Sequence, residues 1–246
     1  MAALREGRAE VEVERIRVRG ADGEPVPAIH ARPEGMPRRG VVLHPDIGGL
    51  RPLFDDLARR LASHGVAVCA PEPFARALAT GVDLGAIERR MNHVRELDDD
   101  LQLGDLEAAA DYLVVNDDVT DVAILGFCMG GMYALKAAAT ARFDRAVSFY
   151  GMVHLPEGWR GSAHAEPLAT IGQACPTLAI FGGSDPLTPA EDIEALRAAW
   201  AGREDCEVVV YPGAEHGFVH DADRPAHRAE DAADAWNRVL TFLDVD

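Results

Sequence analysis

The sequence predicts an α/β protein built on one central, mostly parallel sheet that is flanked by helices. Two observations support this fold class. From Val41 to the end of the chain, short apolar runs suited to buried strands alternate with helical patterns. No linker or internal repeat interrupts this alternation, so residues 1–246 are expected to form a single domain.

The individual elements are predicted from local patterns. Residues 11–18 alternate apolar and charged side chains and, with residues 25–31 across a glycine-containing turn, predict an antiparallel hairpin at a sheet edge. Residues 74–95 show no clear pattern, and residues 151–174 are expected to be irregular. Buried strands are predicted at residues 41–43, 66–70, 122–125, 145–150, 176–181 and 207–211, and helices at residues 52–63, 98–115, 132–140, 190–200 and 225–243.

Composition argues against several classes of function. The formal net charge of −17 disfavours nucleic acid or an anionic membrane as a partner. The four cysteines are widely spaced and form no C-x-x-C pair, so neither a zinc site nor a dithiol motif is predicted, and no cofactor is implied. Residues 1–10 contain no apolar signal core, and no apolar run approaches the length of a membrane span, so a cytoplasmic location is expected.

The most specific chemical signal is the turn between the predicted strand 122–125 and the predicted helix 132–140. Its core, Gly126-Phe127-Cys128-Met129-Gly130, has the spacing of the G-x-S-x-G nucleophile motif with cysteine in place of serine. Small residues on both sides allow a sharp reversal of the backbone, and the start of a helix favours the thiolate. Two other interpretations stay open here: Cys128 as a small core residue, and a phosphate-binding turn, although neither G-x-G-x-x-G nor Gly-Lys-Ser/Thr occurs.

Two further residues come directly after predicted strands, where functional groups gather in parallel α/β sheets. Asp185 comes after strand 176–181, and His216 comes after strand 207–211 in a glycine-flanked loop. With Cys128 they give the order nucleophile, acid, histidine, which is that of α/β-hydrolases. Taken alone, Asp185 could form a turn or cap a helix, and His216 could be an inert loop residue. Spacing does not exclude His44, His93, His154, His164 or His220, whereas surface exposure is expected for His30, His64 and His227.

These residues and several short motifs resemble the dienelactone hydrolase family of cysteine-dependent α/β-hydrolases. The similarity spans residues 41–243 and rests on Gly-Phe-Cys-Met-Gly-Gly at 126–131, Gly-Asp-Leu-Glu-Ala-Ala at 104–109, Phe-Tyr-Gly at 149–151, Gly-x-x-Asp at 182–185 and Tyr-Pro-Gly-Ala-x-His-x-Phe at 211–218. The resemblance implies that His216 activates the nucleophile Cys128 and that Asp185 orients the imidazole during hydrolysis of enol-lactones or related esters. It also implies an oxyanion hole formed by the backbone N–H groups of Met129 and Ile47.

The chain departs from the family at two positions. Asp46 stands where the family carries a glutamate thought to contact the resting thiol. His220 stands where members specialised for dienelactone carry one of two arginines that bind the substrate carboxylate; Arg89 or Arg90 could supply the other. Two roles for Asp46 are open. Either it contacts the thiol of Cys128 and disfavours the thiolate, or it shapes the loop that offers an oxyanion donor.

The sequence therefore predicts a cytoplasmic hydrolase that cleaves a small carboxylic ester or lactone through a thioester-linked acyl-enzyme at Cys128. The alternative is a protein of the same fold that binds a small ligand without turning it over, and an intact triad argues against it. A cysteine-dependent redox or peptidase activity is less well supported, because no resolving cysteine lies near Cys128 and nothing marks a peptide groove.

Overall fold

The structure is a computed structural model that describes residues 1–245, and across these residues it contains one eight-stranded sheet. The strands are β1 (Val11–Arg19), β2 (Pro25–Pro33), β3 (Gly40–His44), β4 (Ala67–Pro71), β5 (Val122–Phe127), β6 (Arg145–Phe149), β7 (Thr177–Gly182) and β8 (Cys206–Tyr211). They lie in the order β1-β2-β4-β3-β5-β6-β7-β8. β2 is antiparallel to both β1 and β4, and the other neighbouring pairs are parallel. The predicted fold class and edge hairpin are confirmed.

Helices flank the sheet. Helix α5 packs on β5 and β6, α4 packs mainly on β3 and β4, and α7 packs on β7. The strands β3, β4, β5 and β7 are buried along their whole length, as their apolar sequences predict. The helices of the described residues are α1 (Pro52–Ala62), α2 (Ala75–Ala79), α3 (Ile87–His93), α4 (Asp99–Asp117), α5 (Met129–Ala137), α6 (Ala190–Ala199) and α7 (Ala229–Phe242).

The strand order creates a crevice at the carboxyl ends of β3 and β5. After β3 the chain crosses to β4 on one side, and it later returns to form β5 on the other side. The loops that leave β3 and β5 therefore diverge, and ligands bind in the crevice at such a switch point. The loop after β3 contains Asp46 and Ile47, and the loop after β5 is the Cys128 turn.

Two helix boundaries differ from the predicted ones. Helix α5 begins at Met129, before the predicted residue 132, because Gly130 and Gly131 have low helix propensity yet lie inside the helix. Helix α7 begins at Ala229, after the predicted residue 225, because the preceding segment folds back: Arg228 N–H donates to the carbonyl oxygen of Phe218 at 3.2 Å. The unclear region 74–95 contains α2 and α3, while residues 151–174 contain only short 3₁₀ turns.

The expectation that His30 is exposed is wrong. His30 lies on β2 and is buried, with Nε2 2.9 Å from Asp117 Oδ2 at the end of α4 and Nδ1 3.0 Å from Glu14 Oε1 on β1. Its ring also meets Tyr112 edge-on, with 5.2 Å between the ring centroids. These contacts connect the N-terminal hairpin to α4, and they join residues too far apart in sequence for a local pattern to predict.

We expect His30→Leu to lower the free energy of unfolding by roughly 1–3 kcal/mol near pH 6, because the buried Asp117 loses its imidazole partner. Burial alone lowers the pKa of His30, but Asp117 and Glu14 outweigh it and raise the pKa above its ordinary value of 6.5. The stabilisation by the charged imidazole is therefore complete below pH 6.5 and is lost as pH rises through the raised pKa. Urea unfolding should show a smaller loss near pH 9.

The matched control is His154→Leu, because His154 is 44% exposed. This variant should unfold like the wild type at both pH values. A loss for His30→Leu that is the same near pH 6 and near pH 9 would show that the charged form of His30 does not stabilise the fold.

Candidate active site

Cys128 lies at the reversal between β5 and α5, where the chain passes directly from strand to helix. Its backbone has φ 55° and ψ −117°, a left-handed conformation that non-glycine residues rarely adopt. The N–H of Cys128 donates to the carbonyl oxygen of Phe149 at 3.0 Å, at the end of β6. The side chain therefore stands at the carboxyl end of the sheet and at the N-terminus of α5.

Gly126 and Gly130 provide the space that this reversal needs. A Cβ at Gly126 would lie 2.0 Å from the carbonyl oxygen of Gly130, and a Cβ at Gly130 would lie 2.4 Å from that of His44. No side chain fits at either position unless backbone moves. The G-x-C-x-G spacing is thus a packing requirement of the turn.

Asp185 and His216 are brought together, as the sequence predicts. Their Oδ2 and Nδ1 atoms are 2.7 Å apart, and the Asp185 side chain is completely buried. Asp185 Oδ1 accepts the N–H of Leu187 at 2.8 Å, which fixes the orientation of the carboxylate. Because a carboxylate can only accept, Nδ1 of His216 carries the proton and donates it. Nε2 is thereby left for the nucleophile.

The surroundings of His216 favour a charged imidazole. Burial alone lowers its pKa, but the hydrogen bond to Asp185 and the neighbouring Cys128 raise the pKa to about 10. Nε2 is buried and makes no hydrogen bond within residues 1–245. An imidazolium next to a cysteine stabilises the thiolate, which is the form that attacks a carbonyl carbon.

The other histidines lie away from this pair. None of those in residues 1–245 hydrogen-bonds to Asp185 or lines the pocket that contains Cys128. The five that spacing left open interact elsewhere: His44 with Pro45, His93 with Glu96, His154 with Glu166 and Asp192, His164 with Val94 and Asp99, and His220 with Asp46 and Tyr150.

The two backbone donors predicted for an oxyanion hole are both available. Met129 is the first residue of α5, so its N–H has no acceptor within the helix. In the loop after β3, the N–H of Gly49 donates to the carbonyl oxygen of Asp46 at 2.9 Å, and that of Leu50 donates to Glu72 Oε2 at 2.8 Å. The N–H of Ile47 makes no hydrogen bond within the described part of the chain.

Asp46 lines the same pocket as Cys128 but makes no hydrogen bond to the thiol within residues 1–245. Its Oδ1 accepts from Arg51 Nη1 at 2.6 Å and from Gly48 N–H at 2.8 Å; its Oδ2 accepts from Arg51 Nη2 at 2.7 Å and from His220 Nε2 at 2.9 Å. Burial alone raises the pKa of Asp46, but His220 and Arg51 outweigh it and hold the pKa well below its usual range. These contacts favour the role in which Asp46 shapes the loop.

The residues at the family's carboxylate-binding positions have other partners. His220 is completely buried and bound to Asp46, so it does not face the pocket. Arg89 forms an exposed ion pair with Asp83. Arg90 lines the pocket, but its Nη1 lies 3.5 Å from Glu72 Oε1.

Arg224 is a candidate that the sequence patterns did not single out. It lines the pocket, and its guanidinium lies over Gly217, where a Cβ would come within 2.6 Å of Nη1. Within residues 1–245 this guanidinium makes no hydrogen bond or ion pair. The signal available in the sequence was its position in the same loop region as His216. Arg51 and Tyr150 were also not singled out, although Tyr150 lies in the Phe-Tyr-Gly motif.

The pocket around Cys128 and His216 has a volume of about 690 Å³. Its charged lining residues are Arg51, Arg90 and Arg224 together with Asp46 and Asp221, and its large apolar ones include Leu84, Ile87, Met91, Trp159 and Leu187. A larger groove of about 900 Å³, between residues 10–12, 32–36 and 117–118, contains none of the predicted site residues. The smaller pocket is therefore the candidate active site.

The described residues contain neither a membrane-spanning helix nor a metal-binding cluster. None of their helices combines the length and the apolar character that crossing a membrane requires. They contain no cluster of three or more His, Cys, Asp or Glu side chains arranged to hold a metal ion.

Comparison with known proteins gives consistent matches. The model of the dienelactone hydrolase family matches residues 26–245. The carboxymethylenebutenolidase of Rhodococcus opacus is 31% identical over 245 residues, which cover 96% of this chain and 92% of the relative. A Yersinia pestis protein provisionally named a carboxymethylenebutenolidase is 34% identical over 229 residues, covering 91% and 85%. A solved structure from Klebsiella pneumoniae, provisionally named a dienelactone hydrolase, has a TM-score of 0.83 at 29% identity, covering 96% of this chain and 99% of that one.

We expect Asp185→Asn to slow the alkylation of Cys128 by iodoacetamide severalfold near pH 7. The substitution removes the carboxylate that raises the pKa of His216, so the imidazolium that stabilises the thiolate is lost. The difference from wild type should shrink as pH rises, since the thiolate then forms without help. Peptide mass spectrometry of timed samples gives the rate at Cys128.

The matched control is Asp192→Asn, a nearby carboxylate at the start of α6 that does not contact His216. It should leave the labelling rate unchanged. Superimposable pH profiles for wild type and Asp185→Asn, with equal melting temperatures, would remove Asp185 from the assignment.

Proposed function

Because the chain belongs to the dienelactone hydrolase family, we propose that it hydrolyses a small carboxylic ester or lactone through an acyl-enzyme on Cys128. The resemblance predicted from the sequence is confirmed, and so is the predicted class of enzyme, an ester or lactone hydrolase. The observation that carries the mechanism is the Asp185–His216 hydrogen bond in the pocket that contains Cys128. One sheet and one core cluster, from Ala2 to Val245, support a single catalytic domain.

In the first half of the proposed reaction the Cys128 thiolate attacks the carbonyl carbon of the substrate. The C–S bond forms, and the negative charge that develops on the carbonyl oxygen is stabilised by the N–H groups of Met129 and Ile47. The C–O bond to the leaving group then breaks, and the Nε2 proton of His216 passes to the leaving alkoxide. For a lactone, the new hydroxyl stays attached to the acyl chain.

In the second half, water hydrolyses the thioester. Neutral His216 accepts a proton from the water through Nε2, and the resulting hydroxide attacks the acyl carbon. The C–S bond breaks, the carboxylic acid leaves, and Cys128 returns as a thiolate beside an imidazolium. Asp185 keeps the proton on Nδ1 throughout, so that Nε2 always faces the reacting atoms.

The walls of the pocket favour a substrate with an apolar body and a negative group. Ile87, Met91 and Leu187 are 44%, 47% and 47% exposed, which leaves their apolar surface free for a ligand. Arg224 lines the same pocket with a guanidinium that makes no hydrogen bond or ion pair within residues 1–245. A carboxylate on the substrate would supply that partner through charge-assisted hydrogen bonds.

We expect Cys128→Ala to lower hydrolysis of p-nitrophenyl acetate by at least roughly a thousandfold, because the nucleophile is lost. Cys128→Ser should keep the fold and lose much of the activity, since a hydroxyl is far harder to ionise than a thiol. Rapidly quenched wild type should carry the acyl group on the Cys128 peptide. The matched control is Cys175→Ser, a cysteine outside the pocket, which should keep full activity.

Wild-type protein that binds esters or lactones but neither becomes acylated nor hydrolyses them would support the non-catalytic alternative. Retention of activity in Cys128→Ala would instead place the nucleophile elsewhere.

We expect Arg224→Gln to raise the KM for an anionic ester about tenfold while leaving that for a neutral ester of similar size unchanged, because one charge-assisted contact is lost. The kcat should change little, since Arg224 does not contact the reacting atoms in this mechanism. Arg228→Gln is the control, because Arg228 pairs with Asp231 and does not line the pocket. Equal KM changes for the anionic and neutral esters would argue against charge recognition by Arg224.

A further inference from the structure

Four side chains form a chain of hydrogen bonds that begins in the lining of the active-site pocket and continues into the protein interior: Arg51, Asp46, His220 and Tyr150. Both guanidinium Nη atoms of Arg51 donate to Asp46, whose Oδ2 also accepts from His220 Nε2. On the far side of the imidazole, His220 Nδ1 is hydrogen-bonded to the hydroxyl of Tyr150. His220 and Tyr150 are both fully buried, and Asp46 is 5% exposed. None of these four side chains belongs to the proposed triad of Cys128, Asp185 and His216.

The direction of each hydrogen bond in this chain is set by the chemistry of its members. Asp46 remains charged, because His220 and Arg51 outweigh the effect of burial on its pKa. A carboxylate can only accept, so Nε2 of His220 carries the proton. Burial holds the pKa of His220 below its ordinary value despite the nearby Asp46, so the imidazole is neutral and Nδ1 accepts from Tyr150. In this arrangement the hydrogen bonds run in one direction, from the Tyr150 hydroxyl to His220 and from His220 to Asp46, while Arg51 donates to Asp46 from the other side.

The chain of hydrogen bonds connects three loops that surround Cys128. Asp46 lies in the loop after β3, immediately before Ile47, and also accepts the N–H of Gly48 at 2.8 Å. Tyr150 comes directly after β6, with φ 39°, and lies edge-on to the ring of His216 with 4.9 Å between the centroids. His220 lies in the loop after β8.

The ring of His220 also supports the nucleophile turn. It stacks on Phe127, the residue before Cys128, with 4.8 Å between the centroids. A second hydrogen bond, partly buried, holds the far end of the loop after β3, where the Leu50 N–H donates to Glu72 Oε2. The segment between Asp46 and Leu50 is thus held at both ends, and Ile47 lies inside it with its N–H unused.

We propose that Arg51, Asp46, His220 and Tyr150 act together as positioning residues that hold the Ile47 N–H where the oxyanion forms. This inference rests on the proposed hydrolase function. A donor that is displaced stabilises the transition state less, while the ground-state thiol is unaffected. Breaking this chain of hydrogen bonds should therefore lower kcat and leave both KM and the intrinsic reactivity of Cys128 close to the wild-type values.

The variants for the test are His220→Phe, which keeps an aromatic ring but cannot hydrogen-bond, and His220→Gln, whose amide can donate and accept. Tyr150→Phe removes a single hydroxyl and serves if His220→Phe does not fold. We expect kcat for p-nitrophenyl acetate to fall roughly ten- to a hundredfold in His220→Phe, less than the loss of a whole oxyanion donor. It should fall less in Tyr150→Phe and recover in part in His220→Gln. Alkylation of Cys128 by iodoacetamide forms no oxyanion, so its rate should stay within twofold of wild type.

The control is His227→Phe, because the His227 imidazole pairs with the carbonyl oxygen of Phe218 and makes no contact with Arg51, Asp46, His220 or Tyr150 among the described residues. Amide hydrogen exchange of the peptide that contains residues 46–50 gives a readout independent of turnover, and it should accelerate in His220→Phe and not in His227→Phe. Unchanged exchange of this peptide in both His220→Phe and Tyr150→Phe would overturn the inference whether or not esters are hydrolysed. An unchanged kcat in an active enzyme would overturn it too. If the wild type shows no turnover but amide exchange of residues 46–50 is faster in the variants, the hydrolase function is contradicted. The inference that the four side chains position the loop is then still supported.

Discussion

The reversal of the backbone at Cys128 is the constraint on which the other parts of the site depend, because it brings three strands to within backbone contact of one point. A Cβ at Gly130 would meet the carbonyl oxygen of His44 at the end of β3, and a Cβ at Gly131 would lie 2.6 Å from that of Phe149 at the end of β6. The left-handed conformation of Cys128 is costly for a residue with a side chain, and this packing sustains it. The main chain of this turn therefore fixes the position of Cys128 relative to the N–H of Met129.

Buried carboxylates hold other segments of the chain in place. Asp46 pairs with Arg51 in the loop after β3, and Asp99 accepts from Lys136 at 2.8 Å and from the N–H of Ala165 at 2.8 Å. The second pair connects α4 to α5 and to the irregular segment 151–174. A buried charge is costly unless it is paired and hydrogen-bonded. Each carboxylate therefore selects a single geometry for the segments that it joins, which suits a site whose donors must point in fixed directions.

The sequence predicts that Cys128, Asp185 and His216 gather at one place, because each of them comes directly after a strand. Cys128, Asp185 and His216 come after short apolar runs, and the loops that leave parallel strands gather at one edge of the sheet. The buried roles of His30 and His220 could not be predicted, because their partners come from distant parts of the chain: His220 and Asp46 are 174 residues apart in sequence. Helix propensity also predicts the wrong start for α5. Gly130 and Gly131 are poor helix formers, but they lie inside the helix because neighbouring backbone leaves no room for a side chain there.

The residues proposed to carry out the reaction are held by hydrogen bonds, whereas several residues that would contact the rest of the substrate are not. The segment from Asp46 to Leu50 is tied down at both ends, and the Asp185–His216 pair is fixed by a second hydrogen bond to the carboxylate, so these parts have little freedom to adapt to a ligand. Helix α3, by contrast, has no buried residue, and it contributes Ile87 and Met91 to the pocket. Changes on α3 cost little stability, since surface substitutions rarely disturb a fold. Differences in substrate between related enzymes are therefore expected to arise on this helix and at Arg224.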